Sequence, residues 1–317
     1  MRTVFFAELL VEHRCQTLEE GKLRIPLALF VVVTFCSPSI CQTEAGTIIV
    51  VAQSHAKIVV AADSRASHET GPPTDGFCKI TVLNSKLVFA AAGIIQDESP
   101  MLAPEIRFLA RDVAREVDHD FKPDSPPGLE LGTVGLKALQ WGNIMSGRMR
   151  QGVSKRLDVW LQGQPQKPLA RFVEGIFAGI EPGGELSVVV SIVDYIPPRE
   201  GWITPIARSY LEGPSDARDI TWIEPYGMPQ VAWDYIHGDS EFSKTIHKAQ
   251  LGPPDKFDDQ IPIELVGKTI AEDRSPEPKG VGGKIDALKI LPSTGVQWIV
   301  NPNCTQTGDA DHAKTKP

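Results

Sequence analysis

The chain has 317 residues, of which 42% are hydrophobic and 23% are charged, and it carries a formal net charge of −8. These shares are ordinary for a globular protein that is long enough to bury a substantial core. The sequence has no block of Lys and Arg and no stripe of basic and aromatic residues, so nucleic acid is not expected as a partner.

The first 46 residues have the pattern of a segment that is removed from the mature protein. Lys22 and Arg24 precede the apolar run IPLALFVVVTFC, and Ser39-Ile40-Cys41 fits a small-x-small cleavage site. The apolar run is too short to cross a bilayer, and the order of features is typical of a secretory signal peptide. We therefore expect an exported protein, periplasmic or secreted, without a stable membrane span. The polar stretch before Lys22 leaves a propeptide of a cytoplasmic protein as the alternative.

Two cysteines, Cys78 and Cys304, lie outside that segment. In an oxidising compartment they can form one disulfide, although spacing alone does not establish that they meet. The seven histidines show no paired ligand spacing, so neither a metal site nor a cofactor is expected.

From Thr47 onward the pattern predicts two β-hairpins and then a helix. TIIVVAQ and KIVVAAD are near-continuous apolar runs around the turn Ser54-His55-Ala56, which favours antiparallel strands covered on both faces. KITVL and KLVFAAAG form the second hairpin around Asn84-Ser85, and Gly93 ends its last strand. The helix that should follow places one apolar face on Leu102, Ile106, Leu109, Ala110, Val113 and Val117.

The rest of the chain mixes helices and strands in blocks. Residues 131–168 are expected to hold one or two helices, ARFVEGIFAGI and ELSVVVSIVDY a strand pair, and 201–252 give no clear pattern. IPIELVGKTIAED predicts a helix with Ile263, Val266 and Ile270 on one side, and GGKIDALKI with VQWIV a final hairpin. The polar tail, 301–317, is expected to be disordered. This order indicates an α+β fold.

Thr47 is the residue from which chemistry is expected. If the bond after Gly46 is cut, Thr47 carries both a hydroxyl nucleophile and an amine that can act as its base. Lys79 would keep that amine mostly neutral, and Asp63 would hold Lys79 charged and oriented. The backbone N–H of Gly93 would stabilise the oxyanion.

At these residues the chain resembles the proteasome β-subunit branch of the N-terminal nucleophile hydrolases. From Thr47, the intervals to Asp63, Lys79 and Gly93 are sixteen, thirty-two and forty-six residues, as in that family. VVAADSRAS is similar to the family's AxDxR stretch, CKI to its lysine-isoleucine pair, and AAAGIIQD to its AGxxxD helix entry, ending here at Asp97.

The resemblance implies a four-layer αββα sandwich over residues 47–300 with a long mid-chain insertion. It also implies self-processing between Gly46 and Thr47, hydrolysis of peptide or amide bonds, and the option of a ring-type homo-oligomer. Each residue has an ordinary alternative as well: Thr47 as a strand residue, Asp63 as a turn, Lys79 as a solvated strand start and Gly93 as a joint. The conjunction of all four favours the catalytic interpretation.

The supporting residues match the family less completely. Gly282 and Gly283 fit its glycine pair, but Val281 and Pro278 stand at the family's serine and aspartate positions.

Three further residues are assigned more loosely. Glu277 is a candidate replacement acid, and Ser215 in Gly213-Pro214-Ser215 is the nearest counterpart of a second family serine. Arg65 is expected to be a structural partner of its loop. These departures leave one alternative open, a catalytically degenerate homologue that acts as an exported binding or assembly protein.

Overall fold

The computed structural model describes residues 47–66, 73–93, 95–97, 104–121, 131–161, 171–196, 204–212, 220–273, 280–300 and 304. The predicted signal segment, 1–46, lies outside these ranges, as does the predicted tail apart from Cys304. Within the described ranges the chain forms two five-stranded sheets, two small two-stranded sheets and five α-helices.

The strands are, in chain order, β1 (Ile48–Gln53), β2 (Ile58–Asp63), β3 (Arg65–Ala66), β4 (Thr74–Asp75), β5 (Ile80–Asn84), β6 (Leu87–Gly93), β7 (Gln96–Asp97), β8 (Phe108–Leu109), β9 (Arg171–Ile180), β10 (Leu186–Ile196), β11 (Thr204–Glu212), β12 (Trp222–Gly227), β13 (Ile285–Leu291) and β14 (Gly295–Val300). The helices are α1 (Ala110–Asp120), α2 (Thr133–Leu161), α3 (Gln230–His237), α4 (Glu241–Gln250) and α5 (Gln260–Ala271).

Sheet I has the strand order β12-β1-β2-β13-β14, and sheet II has the order β11-β10-β9-β6-β5. Neighbouring strands in both sheets are antiparallel. The four predicted hairpins, β1–β2, β5–β6, β9–β10 and β13–β14, are therefore confirmed. The segment 201–252, which gave no clear pattern, contributes the edge strands β11 and β12 and the helices α3 and α4.

Both faces of the β1–β2 hairpin are buried, as its continuous apolar sequence predicts. Ile49 and Val51 belong to a cluster that also contains residues of sheet II. Ile48 and Val50, which point the other way, belong to a cluster with residues of α3, α4 and α5. The split follows from strand geometry, because successive side chains project to opposite faces.

A third cluster packs sheet II against α1 and α2, with Phe89, Trp141 and Phe177 at its centre. The ring centroids of Phe89 lie 5.3 Å from Trp141 and 5.0 Å from Phe177, in tilted arrangements that aromatic pairs prefer. Trp141 Nε1 donates a hydrogen bond of 3.0 Å to the carbonyl of Ala110, so the indole is buried without an unpaired donor.

The helix predicted after Gly93 begins later than expected, at Ala110. Ile106 lies in a 3₁₀ turn and Leu109 in strand β8, which pairs with β7, while Leu102 lies outside the described residues. The pairing holds Leu109 extended, with φ −122° and ψ 120°, and Ala110 N–H donates to the Ile95 carbonyl at 2.7 Å. Tertiary pairing has overridden the helical periodicity of this stretch.

Two further helix predictions are refined by the structure. Within residues 131–161 the structure has one helix, α2 (Thr133–Leu161), rather than two. In α5 the buried side chains include Ile261, Leu265 and Val266, whereas Ile263 and Ile270 are only partly buried.

Among the described residues, no helix combines the length and apolar character needed to cross a membrane.

Candidate active site

Thr47 lies immediately before β1, and its carbonyl is bound by the turn that follows β12. The Thr47 carbonyl accepts the backbone N–H of Met228 at 2.7 Å. Gly227 has a φ of +82°, and a Cβ there would lie 2.1 Å from the Thr47 oxygen. Only glycine permits this approach, so the turn after β12 sits directly against Thr47, which is itself buried.

Asp63, the last residue of β2, is fully buried and lies at the centre of the site. Its Oδ1 accepts the backbone N–H of Ile48 at 2.9 Å and the ammonium of Lys79 at 2.7 Å. Its Oδ2 accepts the N–H of Gly282 at 3.1 Å and that of Arg65 at 3.3 Å. One carboxylate therefore joins the first residue of β1, Lys79 and the turn before β13.

Lys79 is not the solvated strand residue of the ordinary interpretation. Its side chain is 1% exposed, and its Nζ shares Asp63 Oδ1 with the N–H of the residue that follows Thr47. Burial lowers the pKa of the Lys79 ammonium, and the Asp63 carboxylate opposes that change. The Lys79 ammonium and the N–H of Ile48, the residue after Thr47, therefore donate to the same oxygen, Asp63 Oδ1.

The electrostatics of the pair are dominated by the loss of water. Burial raises the pKa of the Asp63 carboxyl, whereas Lys79 and the N–H groups of Ile48 and Gly282 act in the opposite direction. A buried ion pair keeps its charge only when its remaining lone pairs are satisfied. Here the backbone N–H groups of Ile48 and Gly282 donate to the Asp63 oxygens.

Gly93 ends β6 with a φ of +91°, a conformation that favours glycine. It is not followed by a helix entry, because Asp97 lies in the short strand β7. The preceding residue, Ala92, packs near the turn beside Thr47: a Cβ on Gly227 would lie 3.1 Å from the Ala92 Cβ. The end of β6 therefore approaches the same turn that holds Thr47.

Arg65 contacts its own loop. Its Nε donates to Asp75 Oδ1 at 2.8 Å and its Nη2 to Asp75 Oδ2 at 3.2 Å. The guanidinium holds the pKa of the Asp75 carboxyl below its usual value. These contacts fit the expected structural role of Arg65.

Both members of the glycine pair lie against side chains of the 64–65 segment. A Cβ on Gly282 would lie 2.4 Å from the Arg65 Cζ. Gly283 has a φ of +76°, and a Cβ there would lie 2.5 Å from Ser64 Oγ. A side chain at Gly282 would displace the Arg65 guanidinium, which lies beside the N–H that Gly282 donates to Asp63.

The remaining predicted supporting residues fall into two groups. Ser215, Glu277 and Pro278 lie outside the described residues. Val281, which stands where the family has a serine, is buried, and its N–H donates to Asp273 Oδ2 at 3.0 Å.

Sequence reasoning missed two buried carboxylates and one turn. Asp273 follows α5, and the sequence pattern predicts it as the last residue of that helix, so no sequence feature distinguishes it. Glu174 is the charge within the apolar run FVEGIFAGI, and an isolated charge in a buried strand is a signal that could have found it. The Gly227-Met228 turn required the pairing of β12 with β1.

Cys78, next to Lys79, is joined to Cys304 by a disulfide with a Cα–Cα distance of 5.5 Å. Asp286 Oδ2 lies 3.1 Å from the Cys304 sulfur. These three residues offer donor atoms within 4.8 Å of one another. Because the two sulfurs are bonded to each other, they are not thiolates that would bind a metal ion.

Comparisons with known proteins give a distant similarity of shape. No protein-family profile matches the chain, and no curated protein matches it. Among solved structures, the chain is similar to Anbu (ancestral beta-subunit) from Yersinia bercovieri, with a TM-score of 0.46 and 12% sequence identity. The match covers 81% of this chain and 90% of that one. At these values it assigns no activity, and we base the proposed function on the contacts of this chain's own residues.

Proposed function

We propose that this chain is a threonine-type N-terminal nucleophile hydrolase that cleaves peptide or amide bonds after cutting itself between Gly46 and Thr47. The observation that carries the proposal is the shared oxygen of Asp63. It accepts both the Lys79 ammonium and the N–H of Ile48, the residue after Thr47. A buried cation beside a prospective N-terminal amine is the arrangement such a nucleophile needs.

In the proposed reaction the Thr47 hydroxyl attacks the substrate carbonyl while the Thr47 amine accepts the hydroxyl proton. Lys79 disfavours protonation of that amine before the attack, because a nearby positive charge destabilises an ammonium. Gly93 N–H receives the oxyanion. The amine then gives its proton to the leaving nitrogen, and water hydrolyses the resulting ester and restores the free hydroxyl.

We also infer the four-layer αββα order. Its support is the set of three hydrophobic clusters: one with residues of both sheets, one with sheet II and α1 and α2, and one with sheet I and α3 to α5. Layers form in this way when each sheet must bury both faces.

We propose further that the mature protein is exported and starts at Thr47. The support is the signal-like sequence of 1–46. A ring-type homo-oligomer remains a proposal as well, to be checked by the molar mass of the mature protein in solution.

The decisive experiment is production of the full chain as wild type, Thr47→Ala and Thr47→Ser. The mature N-terminus is read by sequencing and intact mass, and the proteins are treated with a peptide epoxyketone, which bonds to a hydroxyl and an adjacent amine. We expect wild type to begin at Thr47 and to be labelled once. Thr47→Ser should be processed and labelled more slowly, and Thr47→Ala neither. A wild-type chain with an intact Gly46-Thr47 bond and no label contradicts the proposal.

The second candidate is a binding or assembly protein on the same scaffold. It is favoured by Val281, which has no hydroxyl and is buried beside the turn that contacts Asp63. In that case wild type and Thr47→Ala would have the same N-terminus and would both remain unlabelled.

A further inference from the structure

We infer that Glu174 is a positioning residue for Thr47, acting through the turn after β12. The inference rests on the proposed function, since it concerns the alignment of the Thr47 nucleophile. It adds a residue of β9 in sheet II, outside the two hairpins that carry Thr47, Asp63 and Lys79.

Glu174 lies in β9, in the interior of the molecule. It is 5% exposed, and its described strand neighbours Val173, Ile176 and Phe177 are buried and apolar. A carboxylate in such surroundings is costly unless its oxygens accept hydrogen bonds. The groups that its oxygens bind therefore indicate the role of Glu174.

One hydrogen bond of Glu174 crosses from sheet II to sheet I. Glu174 Oε2 accepts the backbone N–H of Gly227 at 2.9 Å. Gly227 is the last residue of β12 and lies opposite Ile48 of β1. The next N–H, that of Met228, donates to the Thr47 carbonyl at 2.7 Å. Two consecutive N–H groups of one turn thus bind Glu174 on one side and Thr47 on the other.

The result is a clamp on the peptide group that joins Thr47 to Ile48. Its N–H is held by Asp63 at 2.9 Å and its carbonyl by the turn that Glu174 holds. A peptide group is planar, so fixing both of its polar atoms fixes the direction in which Thr47 leaves the strand. The hydroxyl and amine of Thr47 then have a defined position relative to Lys79.

Glu174 also lies next to the strand end proposed to receive the oxyanion. It pairs with Ala92, the residue before Gly93, and Gly93 pairs with Val173. The carboxylate therefore connects the end of β6 to the turn at Thr47. A loss of this connection lets the nucleophile and Gly93 shift relative to each other.

Met228, whose N–H binds the Thr47 carbonyl, has no side-chain hydroxyl, and neither has Val281, which precedes the Gly282 that binds Asp63. If the backbone N–H of Met228 aligns Thr47, the Gly227-Met228 turn itself must be held in place by a hydrogen-bond acceptor. In the described structure Glu174 provides that acceptor.

The test compares four variants of the full chain: Glu174→Ala, Glu174→Asp, Glu174→Gln and Glu181→Ala. Glu181 follows the other end of β9, and its carboxylate accepts the N–H of Val134 at 3.3 Å, so it is a matched control. The readouts are the rate of self-cleavage, the rate of labelling by the peptide epoxyketone, and kcat and KM on a cleaved peptide. Thermal unfolding is recorded for every variant.

We expect Glu174→Ala to lower kcat and the labelling rate by about 30- to 100-fold with KM within about threefold, the size typical of a misplaced reacting group. Glu174→Gln keeps an acceptor oxygen at the same reach and should lie within about fivefold of wild type. Glu174→Asp keeps the charge but is one methylene shorter, so it should resemble Glu174→Ala. Glu181→Ala should match wild type.

Three results overturn the inference while leaving the proposed function intact. The first is a folded Glu174→Ala that processes and labels at the wild-type rate. The second is Glu174→Gln as slow as Glu174→Asp, and the third is a loss in KM alone. If Glu174→Ala does not fold, the comparison of Gln with Asp decides. An inert wild-type chain overturns the proposed function and this inference together.

Discussion

The β1–β2 hairpin carries a lysine–aspartate pair at each end, and the two pairs differ in surroundings rather than in length. At the turn end, Lys57 Nζ lies 2.5 Å from Asp259 Oδ1, with side chains 12% and 20% exposed. Lys289 Nζ lies 3.2 Å from the other oxygen of Asp259. At the Thr47 end, Lys79 and Asp63 are 2.7 Å apart and 1% and 0% exposed.

This contrast shows what distinguishes a candidate catalytic pair from a stabilising one. The pair at the turn ties β2 to the start of α5, and water still reaches it. The pair at Thr47 is buried, and its carboxylate also binds backbone N–H groups of Ile48 and Gly282. Solvent screens the partly buried pair at the turn, whereas breaking the fully buried pair leaves an uncompensated charge.

The largest difference is expected when the aspartates are neutralised. Asp63→Asn should lower the free energy of unfolding by about 3–5 kcal/mol, because Lys79 is left charged in the interior. Asp259→Asn should lower it by about 1 kcal/mol or less, since solvent screens the pair. Urea unfolding followed by circular dichroism measures both. If both variants lost the same free energy of unfolding, the two ion pairs would not differ in their contribution to stability.

Removal of the lysines separates catalysis from stability. Lys79→Met should reduce epoxyketone labelling of Thr47 by about 1000-fold, because it removes the cation that keeps the amine neutral and also leaves the buried Asp63 carboxylate without its ion-pair partner. Lys57→Met should leave labelling within about twofold of wild type, since Lys57 does not contact the site. Labelling kinetics of folded protein measure the effect. A Lys79→Met variant that reacts like Lys57→Met would contradict the role of Lys79.

The disulfide should stabilise the Lys79 end in particular, because Cys78 precedes Lys79 directly. Cys304→Ala should lower the free energy of unfolding by about 2–4 kcal/mol, as expected for closure of a long loop. Hydrogen exchange should rise at residues 80–82 and remain unchanged at 58–60. A dithiol reductant should bring wild type to the stability of the variant and leave the variant unchanged. A uniform rise in exchange would contradict this localisation.

The smallest expected effect is a pH dependence that moves activity and stability in opposite directions. Burial lowers the pKa of the Lys79 ammonium from 10.5, so Lys79 loses its proton at a pH below that value. Activity should then fall by about tenfold on the alkaline side, because the buried Asp63 carboxylate loses its ion-pair partner. In the same window the folded protein binds fewer protons at Lys79 than the unfolded chain. Its contribution to the free energy of unfolding therefore rises with pH.

The pH profile of kcat/KM, recorded beside urea unfolding, tests this prediction. The Lys57→Met variant should keep the alkaline decline. Activity and stability that fall together would indicate unfolding instead of deprotonation.

Secondary structure could be predicted from the sequence where the local pattern and the tertiary packing favour the same element. Strand side chains such as Ile49 and Val50 alternate between two clusters, and a strand covered on both faces has a continuous apolar sequence. The start of α1 was misplaced because β7 pairs with β8 and keeps Leu109 extended. Helical periodicity carries no information about such a pairing.

The sequence by itself determined the hairpins and the positions of Thr47, Asp63 and Lys79, because strand lengths and turns set which residues reach a strand end. Only the tertiary structure decided that Asp63 and Lys79 form a buried pair and that Glu174 reaches Gly227. The physical reason is distance along the chain. Contacts between two sheets join residues whose spacing no local pattern encodes, and burial arises only when the layers have packed.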